Sequence, residues 1–445
     1  MGKKRYRIHW GRVTVFLLAV AAFLACMYYA IAAIVSLFTG GSTTDGSEEK
    51  DSTEVVNITQ QSLAETKQMS QRLDSLMHIP MRLDTSKIAI CVYDLTTHQQ
   101  VYALHEQQLL PPASCMKIAT AITAVKKLGL DYRYNESLLV KGQLKRDTLC
   151  GNLLLMADDD PLCETFDGLA KQMRNRGIRY VRGKLYLTLA REDTLGSHPS
   201  TKTWDIPYHK TPLLMRGRKY IERNLLATLR MNGITFKADN SVRPEGKYHY
   251  VASESHSLRN VITPMMIHSS NIKAEAVLYH VDYKTGVIRD HRSHWDIEHA
   301  SERFLRQVFD KDSTHVMDGF VINDGSGLSP LNRMTASFLV DMLKYAYADR
   351  QMRDYFMKEA LASPDDGVRR GSLLSRMQQP EYRGRIFCKT GTVVTIGASS
   401  LAGYLHGRDD HWYVFSIINT ESPVAESRIF QDRLCKLMMS SRRVR

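Results

Sequence analysis

Three short motifs stand in order along this 445-residue chain: Ser114-Cys-Met-Lys117, Ser269-Ser-Asn271 and Lys389-Thr-Gly-Thr392. Together they hold every group that acyl transfer through a serine needs without a histidine. They constrain the fold because three segments far apart in sequence must then converge on one cleft. Lys117 lies one helical turn after Ser114, where a neutral amine can take the hydroxyl proton. Ser269 and Asn271 add a second hydroxyl and an amide. Lys389, Thr390 and Thr392 supply a cation and hydroxyl donors for a carboxylate, with Gly391 between them. Ser114, Lys117, Ser269, Asn271 and Lys389 are therefore the candidate catalytic residues, and Thr390, Gly391 and Thr392 the candidate substrate-binding ones.

Each motif alone is weak, and context has to choose among copies. S-x-x-K also occurs at Ser47–Lys50 and Ser270–Lys273, and K-T-G recurs at Lys284-Thr285-Gly286. Ser47 sits in a polar stretch with no helix to hold it, and Ser270 belongs to the second motif. Lys284 is too close to Asn271 to form a separate wall of the same site. Lys389 ends an apolar strand that starts at Arg385; Gly397–Tyr404 and Trp412–Ile418 follow and read as successive antiparallel strands. Small residues on the first of these let a substrate backbone lie close.

The N-terminus reads as an address. Residues 1–12 carry Lys3, Lys4, Arg5, Arg7 and Arg12, and residues 13–38 form an unbroken apolar run long enough to cross a bilayer. By the positive-inside rule the tail stays cytoplasmic and the rest is exported. The run is too long for an ordinary cleaved signal, so an uncleaved anchor is expected. The net charge of +13 includes that flank and Arg442, Arg443 and Arg445. No Lys/Arg stripe is interleaved with aromatics, which leaves nucleic-acid binding unsupported. Six cysteines follow the span. A domain of this size does not need disulfides; Cys91, Cys388 and Cys435 lie in apolar segments and read as small hydrophobes, Cys150 and Cys163 could pair, and Cys115 is not in register with Lys117 as a nucleophile.

Residues 39–80 are expected to be a Gly/Ser/Thr-rich tether and an amphipathic stalk helix, which could self-associate but is expected to pack against its own domain. Strands at Lys87–Asp94 and Gln100–Ala103 precede Pro111-Pro112, and Ser114 then opens a helix running to about Leu128. Residues 134–253 change texture, with strands near Gly151–Met156 and Val181–Leu187 and a helix at Phe166–Arg176, and read as a small α/β insert. Residues 81–133 and 254–445 make up the main domain: the two N-terminal strands join three from Ile386–Ile418 in a five-stranded antiparallel sheet with helices on both faces. The His291, His294 and His299 stretch matches no zinc signature and reads as a polar segment.

From about Lys87 onward the chain resembles the D-Ala-D-Ala carboxypeptidase/endopeptidase family, the class C low-molecular-mass penicillin-binding proteins. The resemblance rests on the three motifs, on Gly151-Asn-Leu-Leu-Leu with Asp160-Pro161 and Gly177 to Leu187, similar to the family's insert, and on Asp324-Gly-Ser-Gly-Leu-Ser329 with Asn332-Arg333. It implies an α+β fold of the penicillin-binding-protein/serine β-lactamase type carrying the inserted domain. It implies Ser114 as nucleophile and Lys117 as its base, with burial beside Lys389 depressing the Lys117 pKa. Ser269 would pass a proton to the leaving D-alanine nitrogen, and Asn271 would hold the acyl-side amide. Lys389, Thr390 and Thr392 would receive the terminal carboxylate, and the backbone N–H groups of Ser114 and Thr392 would form the oxyanion hole. The expected partners are peptidoglycan stem peptides, β-lactams as acylating inhibitors and the membrane, with the catalytic domain on the extracytoplasmic side. No metal or other cofactor is expected.

The middle motif is Ser-Ser-Asn where the family usually has Ser-Asp-Asn, and the Ser114–Ser269 interval is short, which implies a reduced appended domain. A β-lactamase would add a deacylating Glu in an E-x-x-L-N context, which is absent, or begin the middle motif with Tyr. An idle wall-binding protein would have lost a motif residue, and none is lost. A Ser–His–Asp hydrolase lacks its G-x-S-x-G elbow here; Gly325-Ser326-Gly327 reads as a tight loop.

Overall fold

The computed structural model describes residues 64–78, 82–190, 211–284, 303, 305–309, 318–364, 369 and 371–440. The expected basic tail, membrane span and tether, and the His291–His299 stretch, lie outside the described residues. Among the described residues no helix is long and apolar enough to cross a membrane.

The described chain begins with helix α1 (residues 64–77), the hairpin of β1 (Ile88–Asp94) and β2 (Gln99–Leu104), and helix α2 (Met116–Leu128). An insert follows: β3 (Arg133–Lys145), β4 (Thr148–Ala157), α3 (Asp167–Asn175), β5 (Tyr180–Gly183), β6 (Leu185–Leu189), α4 (Arg218–Met231), β7 (Thr235–Ala238) and β8 (His249–Ser257). The return runs through α5 (Leu258–Ile267), α6 (Asn271–Lys284) and α7 (Ala336–Ala348). It ends with β9 (Ile386–Val393), β10 (Ala398–His406), β11 (Trp412–Asn419) and α8 (Val424–Met439).

Strands from the two ends of this region form one antiparallel sheet in the order β2-β1-β11-β10-β9, the five-stranded sheet expected from the sequence. Alternation along β1 sorts its side chains between two cores. Ala89 and Cys91 face Ile118 of α2, Met266 of α5 and Phe338 of α7. Ile88, Ile90 and Val92 join Phe430 and Leu434 of α8. Because helices cover both faces, β10 is buried from Ala398 to Leu405 and lacks the in–out polarity of a half-solvated strand.

Residues 64–77, the C-terminal part of the expected stalk helix, pack on this sheet, as expected of a helix packing against its own domain. Met69, Leu73 and Leu76 form a stripe at helical spacing and are all buried in the second core. Their apolar face is satisfied within the compact unit Leu63–Arg445, so the helix belongs to the main domain and not to the linker.

The insert builds its own sheet, ordered β7-β5-β4-β3-β8 with β6 also along β4. Leu138, Leu153 and Leu155 pack there against Phe166 and Leu169 and against Ile221 and Leu225 of α4. Strand β3 pairs with the edge strand β8 from its first residue, Arg133, opposite Ser257, the last of β8, so the sheet extends slightly beyond the expected 134–253. That pairing sets the entry and exit of the insert side by side, and the chain returns to the main domain where it left it.

Leu73→Ala is expected to cost about 2–5 kcal/mol in urea unfolding, as for other buried leucines. An unchanged unfolding midpoint would contradict the packing of α1 as part of this unit.

Candidate active site

Ser114 sits in a 3-10 turn, Ala113–Cys115, just before α2 and not in its first α-turn. Ala113 is held at a φ of 47°, in the left-handed region that disfavours residues with a Cβ. Two side chains hold the turn there. Ser400 Oγ on β10 donates to the Pro112 carbonyl at 2.6 Å, and Cys115 Sγ donates to the Lys389 carbonyl at 3.3 Å. Strand β9 crosses this turn at Gly391, where a Cβ would lie 2.1 Å from Ser400 Oγ and 2.9 Å from the Ser114 nitrogen. The glycine of the third motif is therefore a packing requirement at the nucleophile.

Lys117 is fully buried on the first turn of α2. Its Nζ donates to Ser114 Oγ at 2.9 Å, to Asn271 Oδ1 at 2.8 Å and to the Ser326 carbonyl at 2.6 Å. Burial, and next the nearby Lys389 cation, lower the pKa of this amine from 10.5 to about 7. Once neutral, it keeps two N–H bonds for Asn271 and Ser326 and turns its lone pair to the Ser114 hydroxyl. The cage thus selects the direction of proton transfer.

Ser269, with a φ of 54°, forms the bend between α5 and α6. Its Oγ accepts from Lys389 Nζ at 2.9 Å, which leaves the hydroxyl hydrogen available for a substrate nitrogen. Lys389 also donates to the Thr390 carbonyl at 2.8 Å, and burial lowers its pKa to about 8. Thr392 Oγ1 donates to the Gly391 carbonyl at 2.8 Å and accepts from Arg428 Nη2 of α8 at 3.0 Å. The structure therefore brings the five candidate catalytic residues together and sets Thr390, Gly391 and Thr392 along the adjoining strand.

Several partners were not singled out in the three motifs. Glu275 lies one helical turn after Asn271 and is buried; it accepts from the backbone N–H groups of Ser326 at 3.0 Å and Gly325 at 3.2 Å. Burial, then Asp324, push its pKa upward. Asp324 accepts from the N–H groups of Gly327 at 2.5 Å and Ser329 at 2.6 Å. These bonds shape the tight loop whose Ser326 carbonyl holds Lys117. Gly327 has a φ of 77°, and a Cβ there would lie 1.8 Å from the Ala113 carbonyl. The i, i+4 spacing of Asn271 and Glu275 was the available signal; Arg428 had none. All six described cysteines are unpaired, Cys150 and Cys163 included. Burial pushes the Cys115 thiol up, away from the thiolate a nucleophile needs.

The model of the D-Ala-D-Ala carboxypeptidase 3 (S13) family matches residues 69–213 and 207–438. The chain is 24% identical over 447 residues to a D-alanyl-D-alanine carboxypeptidase of Actinomadura sp. (strain R39), covering 79% of this chain and 81% of that protein. Its fold is similar to that of penicillin binding protein 4 from Haemophilus influenzae, with a TM-score of 0.63 and 16% identity, over 82% of this chain and 99% of that one. It is also similar to the peptidoglycan endopeptidase Bd3459 of Bdellovibrio bacteriovorus, with a TM-score of 0.52 and 15% identity, over 79% and 92% of the two chains.

Gly391→Ala is expected to slow acylation of Ser114 by about 100-fold, because the nucleophile's turn must shift by the order of an ångström. Mass-spectrometric timing of adduct formation reads this, and a wild-type rate would contradict the crossing described.

Proposed function

The chain belongs to the D-Ala-D-Ala carboxypeptidase 3 (S13) family, and on that premise we propose that it removes the terminal D-alanine of peptidoglycan stem peptides through an acyl-enzyme on Ser114. As a member it is a serine-type peptidase, a hydrolase. The observation that carries the residue roles is the Lys117 amine, buried and 2.9 Å from Ser114 Oγ.

In this reading neutral Lys117 takes the Ser114 proton as Oγ attacks the carbonyl of the penultimate D-alanine. The backbone N–H groups of Ser114 and Thr392 receive the oxyanion. Ser269 gives its proton to the departing amine and is recharged through the Lys389–Lys117 side of the cleft. The C–N bond breaks, free D-alanine leaves, and water then hydrolyses the ester and regenerates Ser114. Lys389 holds the substrate carboxylate, with Thr390 and Thr392 beside it, and Arg428 adds a second positive charge at Thr392. Asn271 orients the acyl-side amide. A β-lactam presents the same carboxylate and a strained amide to the same groups, and the Haemophilus protein has been solved with a β-lactam. The apolar run of residues 13–38 and its basic flank support a membrane tether, with the peptidase on the outer side, where the wall polymer lies.

Labelled penicillin followed by peptide mapping tests this. A long-lived adduct on Ser114 is expected, whereas rapid release of hydrolysed drug is the β-lactamase outcome. Lys117→Ala should slow acylation by about 10²–10⁴-fold, and near-normal acylation would remove Lys117 as the base. In wild type, kcat/KM should rise with pH as Lys117 loses its proton near 7 and fall as Lys389 loses its charge near 8. Lys389→Gln removes a like charge from beside Lys117, so the acid limb should move to higher pH.

A further inference from the structure

At the root of the insert, three side chains that take no part in the cleft come together. Glu136 lies on β3, Asp160 in the loop after β4 and His256 on β8. Their donor atoms all lie within 4.8 Å of one another. Glu136 is 1% exposed and Asp160 fully buried, while the His256 side chain is 39% exposed and gives the cluster an opening to solvent. His256 Nδ1 is 2.5 Å from Asp160 Oδ2, and the other Asp160 oxygen accepts from the Leu162 N–H at 2.8 Å.

Glu136 Oε1 is buried in the same cluster and has no hydrogen-bond partner. A carboxylate oxygen taken from water and given no donor is strongly unfavourable. A cation removes that penalty. Of the neighbouring acids, Asp158 pairs with Lys284 Nζ at 2.8 Å and Asp159 with His280 Nδ1, and Glu254 stands cross-strand from Glu136 on β8. Glu136 and Asp160 are the carboxylates grouped with His256.

We propose that Glu136, Asp160 and His256 bind a divalent first-row transition ion at the root of the insert. Two carboxylate oxygens and one imidazole nitrogen, with a coordination position left for water, suit Zn²⁺ or Co²⁺ better than Mg²⁺, which prefers oxygen throughout. Ligand atoms on a tetrahedral ion at about 2.0–2.2 Å stand roughly 3.4 Å apart. His256 and Asp160 would therefore part by about an ångström, and Glu136 would close in. The three ligands come from β3, β8 and the loop between β4 and α3, so the ion would clamp the strands through which the chain enters and leaves the insert. Strand β8 leads directly into α5 and from there to Ser269.

The test uses the full-length protein in detergent, stripped with a chelator and titrated with Zn²⁺ and Co²⁺, with Mg²⁺ as a control. One equivalent is expected to bind, the Co²⁺ protein should show visible absorption bands of low coordination number, and saturating Zn²⁺ should raise Tm by about 3 °C. His256→Ala should weaken Zn²⁺ binding roughly 100-fold, at least the loss seen for weaker perturbations of metal shells, and remove the Tm rise. Glu136→Gln should do the same. A variant with His291, His294 and His299 all changed to Ala should bind as wild type does. No stoichiometric binding by the stripped wild type would overturn the proposal. So would binding that survives both His256→Ala and Glu136→Gln, or that disappears in the triple-alanine variant.

Discussion

A lysine amine enclosed among oxygen acceptors, with no exposed surface, is costly to keep charged, and the cleft is organised around that cost. Lys117 touches the nucleophile, the amide of the middle motif and the Asp324–Ser329 loop at once. Desolvation and the Lys389 cation both favour the neutral form. Between pH 7 and the ordinary lysine range the unfolded chain then binds more protons than the folded one, so folding stability rises with pH across that window. The same shift that supplies a base at neutral pH thus weakens the fold there. Stabilisation elsewhere has to offset it, and the two cores on either face of the main sheet are where the buried apolar surface lies.

The topology serves this cage. Strands from both ends of the main domain pair β1 with β11, which sets β9 and its K-T-G-T segment beside the turn that carries Ser114. The insert departs after α2 and returns into α5 through the β3–β8 pairing, so the middle motif arrives next to Lys117. Tight crossings at Gly391 and Gly327 then fix the turn from two sides. A fold that joined these segments less closely would leave Lys117 hydrated, and a hydrated lysine is a poor base at pH 7.

Much of this was legible in the residues. The motifs gave the polar groups, and the apolar runs Arg385–Lys389, Gly397–Tyr404 and Trp412–Ile418 gave three strands of the main sheet, because their short length and flanking turn residues favour strand over helix. The helix at residues 64–77 was legible as amphipathic, but an apolar stripe does not name the surface that covers it, so its place on the sheet was not. Glu275 was hidden for another reason: a lone carboxylate on a helix is usually solvated, and only the approach of the Asp324–Ser329 loop buries this one. The start of α2 was displaced because Pro112 and the crossing of β9 impose a 3-10 turn that no local propensity signals. Arg428 reaches Thr392 through tertiary packing alone.

The central claim is a protonation state, and it can be observed directly. Full-length protein labelled with ε-¹³C lysine, with Lys117→Met as the assignment standard, allows the Lys117 signal to be titrated by NMR. An inflection near pH 7 is predicted, with the amine neutral above it. An inflection at the ordinary lysine value of 10.5 would contradict the cage as the source of the base.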